Sequence, residues 1–129
     1  MARSRKPAEP TGIAPYAHLR GLGFALALTA FFLIGVSFLV SVAGMRENVG
    51  RWVMVAGGAI AAVAGSSQTG KRMGRAGWLN GGVTGLAYVV ILLILAMLLD
   101  MRLTPRSLIA LFAGFTLGAV GGVLGVNRR

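Results

Sequence analysis

Residues 65–85 read GSSQTGKRMGRAGWLNGGVTG and lie between two long apolar segments. The stretch holds three basic residues within five positions, Lys71, Arg72 and Arg75, and seven of the chain's 20 glycines. Basic residues between apolar segments are typical of the cytoplasmic loops of membrane proteins. We therefore interpret the stretch as a flexible basic cytoplasmic loop that runs into the glycine-rich start of a transmembrane helix.

The composition of the whole chain also indicates a membrane protein. Of its 129 residues, 56% are hydrophobic and 12% are charged, whereas about 25% of residues are charged in soluble domains. The chain has no cysteine, which excludes disulfides and cysteine-ligated metals. One histidine, His18, and three acids, Glu9, Glu47 and Asp100, are too few for a multi-histidine metal site or a paired-carboxylate mechanism. We expect no cofactor, no metal and no enzymatic activity.

Four apolar segments are predicted to be transmembrane helices, because about 20 apolar residues cross the hydrocarbon core. The fold class is therefore an all-α membrane protein, a small bundle of two helical hairpins. Residues 1–20 are predicted to be a flexible basic tail, and residues 21–129 the four-helix domain. The predicted spans are residues 22–43, 52–67, 78–99 and 108–126.

Two of these spans have an alternative interpretation. The first resembles a secretory signal peptide, but signal h-regions are only about 7–15 residues long. The second reaches only ~24 Å at 1.5 Å per residue, so a re-entrant segment is the alternative. The loops on both sides of a re-entrant segment would lie on the same face of the membrane, and the distribution of charge between the loops would then have no explanation.

The basic residues predict the orientation. The N-terminal tail, the loop within residues 65–85 and the C-terminus carry nine of the 13 basic residues. The positive-inside rule then places both termini in the cytoplasm. Because these cations fall in the gaps between apolar segments rather than on one folded face, we expect no nucleic-acid binding. The topology determinants are Lys71, Arg72, Arg75, Arg128 and Arg129.

The spans also form a weak internal repeat. Spans one and three are rich in large apolar residues, and spans two and four are rich in small ones. The repeating unit is a helical hairpin in a parallel orientation. Gene duplication and convergence on the same packing rules both remain open as its origin.

Residues 65–71 match the pattern GxxxxGK of a phosphate-binding P-loop. That motif needs a serine or threonine after its lysine to hold magnesium, and here Arg72 stands in that place. The chain also offers no preceding strand pattern. We therefore reject nucleotide binding.

Small residues recur every four positions in three series. Residues i and i+4 share one face of a helix, so each series forms a smooth surface that another backbone can approach closely. We favour packing within the four-helix bundle, and the alternative is a seam for a second copy or a partner. The series are Gly57, Ala61 and Gly65; Gly77, Gly81 and Gly85; and Gly114, Gly118 and Gly122.

One polar stripe lies within the third span, at Asn80, Thr84 and Tyr88. No charged residue lies inside any span, which argues against a proton relay or an ion-coupled pump. The stripe either lines a pore or bonds a neighbouring helix. We favour the second interpretation.

Two motifs resemble the YrzE-like family of small four-span bacterial membrane proteins of unknown function. They are GKRMGRAGWLNGGVTGLAY at residues 70–88 and GAVGGVLGVN at residues 118–127. The resemblance covers about residues 20–127 and implies four spans in a bacterial plasma membrane, without catalytic residues. The chain lacks the first-span glutamate of dual-topology exporters and the Thr- and Phe-rich helix break of fluoride channels.

These observations predict a non-enzymatic integral membrane protein, a small accessory or packing subunit. Its partners would be the lipid bilayer and either further copies of itself or a larger membrane complex, bound through the glycine-rich faces. The alternative is a small oligomeric channel or transporter lined by the polar stripe. A lipid-modifying enzyme is the weakest hypothesis, since only Asp100, Glu47 and His18 would lie near an interface.

Overall fold

The computed structural model describes residues 15–128, and this part of the chain consists of four α-helices joined by short connections, with no β-strand. All four helices are long and apolar enough to cross a membrane, as judged by length and composition. The prediction of an all-α protein with four membrane-spanning helices is therefore confirmed. The helices are α1 (Pro15–Ala43), α2 (Glu47–Met73), α3 (Gly77–Leu98) and α4 (Arg106–Asn127).

The helix α1 begins earlier than the predicted first span. It starts at Pro15, a residue whose fixed φ angle and missing N–H suit the first turn of a helix. The part of the predicted flexible tail at residues 15–20 is therefore helical. The prediction for residues 1–14 lies outside the described part of the chain.

The helix α2 is 27 residues long, so the predicted span at 52–67 is only its middle. The interpretation of residues 65–73 as a flexible loop is wrong, because α2 continues through them to Met73. Thr69 and Gly70 are buried against other helices, and such tertiary packing is what stabilises most helices. The helix ends at Gly74, where φ is 64° and the N–H donates to the Gly70 carbonyl at 3.1 Å. This is a left-handed C-cap.

The other two connections are also short, with three residues between α1 and α2 and seven between α3 and α4. Gly44, with φ of 59°, lies in the connection from α1 to α2. Beyond α3, Asp100 has φ of 63° and the Met101 N–H donates to the Ala96 carbonyl at 3.0 Å. Short connections of this kind make consecutive helices antiparallel neighbours, which gives the two predicted hairpins.

Five of the six possible pairs of helices are in contact. The helix α2 contacts the other three, and α3 packs most extensively against α4. The helix α1 packs against α2 and, over fewer residues, against α3, but it does not contact α4. The helices α2 and α3 therefore occupy the centre, and α1 and α4 lie at the periphery.

The interior is built from small side chains. Its buried cluster consists of Ala25, Ala61, Ala62 and Tyr88. The large apolar side chains, such as Phe31 and Phe112, are mostly exposed instead. Small residues inside and large apolar residues outside are the arrangement expected where lipid, rather than water, surrounds the helices.

The helix directions bring five of the nine described cations to one end of the bundle, here called the basic end. It contains the start of α1, the α2–α3 turn and the end of α4, with Arg20, Lys71, Arg72, Arg75 and Arg128. In the described residues the two acids lie at the opposite end, with Glu47 at the start of α2 and Asp100 in the connection after α3. Four of the predicted topology determinants thus lie at one end, and Arg129 lies outside the described residues.

Candidate functional site

The glycine series of α3 and α4 pack against each other. A Cβ atom built on Gly85 would lie 2.8 Å from the Gly118 Cα atom, and one built on Gly122 would lie 2.8 Å from the Gly81 Cα atom. Such distances leave no space for a side chain, so the two backbones are in direct contact. The glycines of this contact are Gly77, Gly81 and Gly85 on α3, and Gly114, Gly118 and Gly122 on α4.

The third small-residue series packs against α1. A Cβ atom on Gly57 would lie 3.0 Å from the Phe32 ring, and one on Gly65 would lie 2.6 Å from the Ala25 Cβ atom. Ala61 lies between them and is fully buried. All three series therefore face other helices of the same chain. These small-residue faces are covered by helices of the same chain.

A fourth small-residue contact, between α2 and α4, was missed from sequence. A Cβ atom on Gly121 would lie 2.5 Å from the Val63 carbonyl oxygen, and one on Gly125 would collide with the Ser67 carbonyl oxygen. The signal was present in the sequence as the four-residue spacing of Gly121 and Gly125, which is offset by one position toward the N-terminus from the series that contains Gly122. Gly118, Gly121, Gly122 and Gly125 let α4 pack closely on two helices at once.

Two members of the predicted polar stripe bond inside the bundle. Thr84 and Tyr88 are each only 2% exposed. The Tyr88 hydroxyl lies 2.6 Å from the Thr29 hydroxyl on α1, and the Thr29 hydroxyl donates to the Ala25 carbonyl at 2.8 Å. Because a threonine hydroxyl has one hydrogen, Tyr88 is the donor to Thr29. The favoured interpretation, a bond to a neighbouring helix, describes both residues.

Asn80 does not join these two residues. Its side-chain amide donates to the Arg75 carbonyl at 3.1 Å, in the turn before α3. The bond is local and exposed, and it ties the α2–α3 turn to the first turn of α3. The three residues of the predicted stripe therefore have different roles. Thr84 and Tyr88 bond to neighbouring helices, and Asn80 bonds to the turn before α3.

A chain of polar groups near the basic end links three helices. His18 Nδ1 on α1 lies 2.8 Å from the Thr84 hydroxyl on α3, which lies 3.2 Å from the Thr69 hydroxyl on α2. Thr69 donates to the Ala17 carbonyl of α1 at 3.4 Å. Sequence reasoning missed this chain because it placed Thr69 in a loop and His18 at the headgroup level. The contact between His18 and Thr84 spans 66 residues, which no local pattern reveals.

Two buried polar atoms accompany this chain without a hydrogen-bond partner, His18 Nε2 and Ser66 Oγ. In residues 15–128, no three His, Cys, Asp or Glu side chains gather closely enough to hold a metal ion. The arrangement of hydroxyl groups and one imidazole acts to hold α1, α2 and α3 together.

The helix α1 leaves most of its surface uncovered. Of its 29 residues, the buried ones are Ala17, Gly21, Ala25 and Val36. The opposite face, at alternating spacings of four and three residues, is fully exposed along its length. We call it the α1 outer face; it consists of Gly23, Ala27, Ala30, Ile34, Ser37 and Ser41.

Five of those six residues are Gly, Ala or Ser. Space is open above the face, because a Cβ atom on Gly23 would meet nothing within 4 Å. Three exposed phenylalanines, Phe24, Phe31 and Phe38, border the face at intervals of seven residues. Sequence reasoning missed this face because it searched for a repeat of four residues, and here the spacing alternates between four and three residues.

Comparisons with known proteins give one result. A family model described as "Protein of unknown function (DUF3792)" matches residues 15–125. No curated protein and no solved structure matches the chain. The matched residues begin with α1 and end two residues before the last residue of α4. The chain therefore belongs to the DUF3792 family, whose function is unknown.

Proposed function

We propose that this protein is a small, non-enzymatic accessory subunit that assembles with a membrane partner through the α1 outer face. The observation that carries the proposal is the exposure of a small-residue stripe on the helix that the bundle covers least. The sequence alone favoured the glycine faces of α2, α3 and α4 for this role. Those faces are in contact within one chain, so the proposed association surface moves to α1.

Membrane helices associate through close packing rather than through a hydrophobic drive, since lipid tails are as apolar as leucine. A face of Gly, Ala and Ser allows a second backbone to approach closely. The lipid-exposed surface of α4 carries several large side chains, with Leu108, Ile109 and Phe112 each at least 70% exposed, whereas the α1 outer face carries one, Ile34. The contrast between α1 and α4 supports a helix, rather than lipid alone, as the neighbour of α1.

A second copy of this chain is the simplest partner. Two α1 helices that present the same stripe to each other form a self-complementary interface with twofold symmetry. A helix of a larger membrane complex would use the same face. The bordering residues Phe24, Phe31 and Phe38 would then pack against the flanks of the partner helix.

The proposed location is a bacterial plasma membrane, with both termini and the basic end in the cytoplasm. Among the described residues that end carries cations and no acid, which supports this orientation through the positive-inside rule. The resemblance of residues 70–88 and 118–127 to the YrzE-like family supports the bacterial assignment.

The channel alternative lacks a supporting observation. Thr84 and Tyr88 direct their hydroxyl groups to α1 and are almost completely buried. An ion or solute pathway along the stripe would have to break these bonds. We therefore propose assembly rather than transport.

Replacement of a small residue by leucine tests the proposal. In Ala30→Leu the new side chain stands on the α1 outer face, and in the control Ala110→Leu it stands on the exposed surface of α4. We expect wild type and the control to form the same oligomer or complex in mild detergent, measured by light scattering after size-exclusion chromatography. Ala30→Leu should weaken that assembly at least tenfold. Equal assembly of the two variants, or a wild type that stays monomeric and recovers no partner, would overturn the proposal.

A further inference from the structure

A groove of about 440 Å³ runs between α2 and α4 on the outside of the bundle. Its walls are mostly apolar and come from Ala59, Ile60, Val63 and Ala64 on α2, and from Leu117 and Leu124 on α4. Ser67 on α2 also lines the groove, and its hydroxyl donates to the Ala64 carbonyl at 2.8 Å. The groove exists because Gly121 and Gly125 bring the two backbones together, while Ile60 and Leu124 rise on either side.

Two cations lie at one end of the groove. Lys71, at the end of α2, and Arg128, after the end of α4, line it at the basic end. The helices α2 and α4 run parallel, since Gly121 contacts Val63 and Gly125 contacts Ser67. Both cations therefore belong to the same end of the bundle, and both are exposed.

The length of the groove matches one leaflet of a bilayer. From Ala59 to Lys71 a helix rises about 18 Å at 1.5 Å per residue. Half of a hydrocarbon core about 30 Å thick is about 15 Å. An acyl chain that fills the apolar part would therefore place its headgroup at the level of Lys71 and Arg128.

We propose that this groove binds one anionic phospholipid, with an acyl chain against the apolar walls and the phosphate held by Lys71 and Arg128. Charge complementarity selects the occupant. Lysine and arginine are the side chains that bind phosphate, and the described acids, Glu47 and Asp100, lie at the opposite end of the bundle. An apolar partner helix would also fit the walls, but it would not account for the two cations at one end of the groove.

Native mass spectrometry of the full chain, with phosphatidylglycerol and phosphatidylcholine in equal amounts, tests the proposal. We expect one phosphatidylglycerol to remain bound in preference to phosphatidylcholine. A basic residue near an anionic lipid changes binding by about fivefold, so Lys71→Gln combined with Arg128→Gln should reduce this preference about 25-fold. The matched control, Arg72→Gln combined with Arg75→Gln, removes the same charge from the same end and should retain the preference.

The apolar walls require their own variants. Ala64→Phe and Ala59→Phe each fill the groove without a change in charge, at two different depths, and each should lower retention of phosphatidylglycerol. Soluble glycerol phosphate should not displace the lipid. Three results would overturn the proposal: equal loss in the control pair, full retention in both phenylalanine variants, or displacement by glycerol phosphate.

The lipid site and the α1 outer face lie on different helices, so their tests are independent. The charge variants at Lys71 and Arg128 should leave assembly through α1 unchanged. Failure of the lipid test would leave the proposed function standing, and the reverse is equally true.

Discussion

Gly85 on α3 and Gly118 on α4 lie so close to each other that neither position has room for a side chain. A methyl group built on either glycine would lie 2.8 Å from the Cα atom of the other. The two helices can lie this close only because neither residue has a side chain. This reciprocal contact is the centre of the α3–α4 hairpin.

Gly118→Ala should therefore destabilise the bundle. Insertion of a methyl group into a packed contact costs about 1–3 kcal/mol, and here the group would meet backbone rather than a flexible side chain. We expect a lower midpoint of thermal unfolding in detergent. The matched control is Gly35→Ala on α1, where a Cβ atom meets nothing within 4 Å. Alanine favours helix over glycine by up to about 1 kcal/mol, so the control should be unchanged or more stable. Identical midpoints for the two variants would contradict the close contact.

The hydrogen bond between Tyr88 and Thr29 should be measurable as a coupling between the two residues. A double-mutant cycle with Tyr88→Phe and Thr29→Val isolates the pair, since both replacements keep the approximate shape of the side chain. Hydrogen bonds between membrane helices contribute about 0.6 kcal/mol on average and at most about 1.7 kcal/mol. We expect a coupling in this range in the free energy of unfolding. Strictly additive effects of the two replacements would show that α1 and α3 are not joined here.

The continuation of α2 to Met73 predicts a sharp boundary in thiol accessibility. The natural chain has no cysteine, so single-cysteine variants report one position each. Ser66 is fully buried, and Ser66→Cys should not react with a membrane-impermeant maleimide. Arg75→Cys lies in the exposed turn and should react quickly. Rapid labelling at both positions would restore the loop interpretation of residues 65–73.

The sequence predicted the number of helices and the hairpin pairing because both follow from apolar length and short connections. It also identified the glycines that meet, such as Gly81 and Gly118, because a four-residue spacing on a membrane helix needs a close neighbour. Which neighbour they meet was left open between the same chain and a partner. The contact requires α3 and α4 to be antiparallel and in register, which the spacing alone does not specify.

The errors concentrate at residues 65–73. Glycine, serine and threonine have low intrinsic helix propensity, and the lysine and arginine that follow suggested the end of a span. The structure keeps α2 helical there because Gly65 and Thr69 pack against α1, and Gly70 packs against α4. Tertiary contact overrides local propensity at this point. The polar chain from His18 through Thr84 to Thr69 was hidden for the same reason, since it forms only when α2 is extended.

We propose that the α1 outer face contacts protein and not only lipid. The most direct measurement places a photoreactive residue at Ala30 or at Ala110 and cross-links intact native membranes. The account predicts a discrete protein adduct from position 30, either with a second copy or with one partner, and lipid adducts alone from position 110. Lipid adducts alone from position 30, or equal protein adducts from both positions, would contradict it.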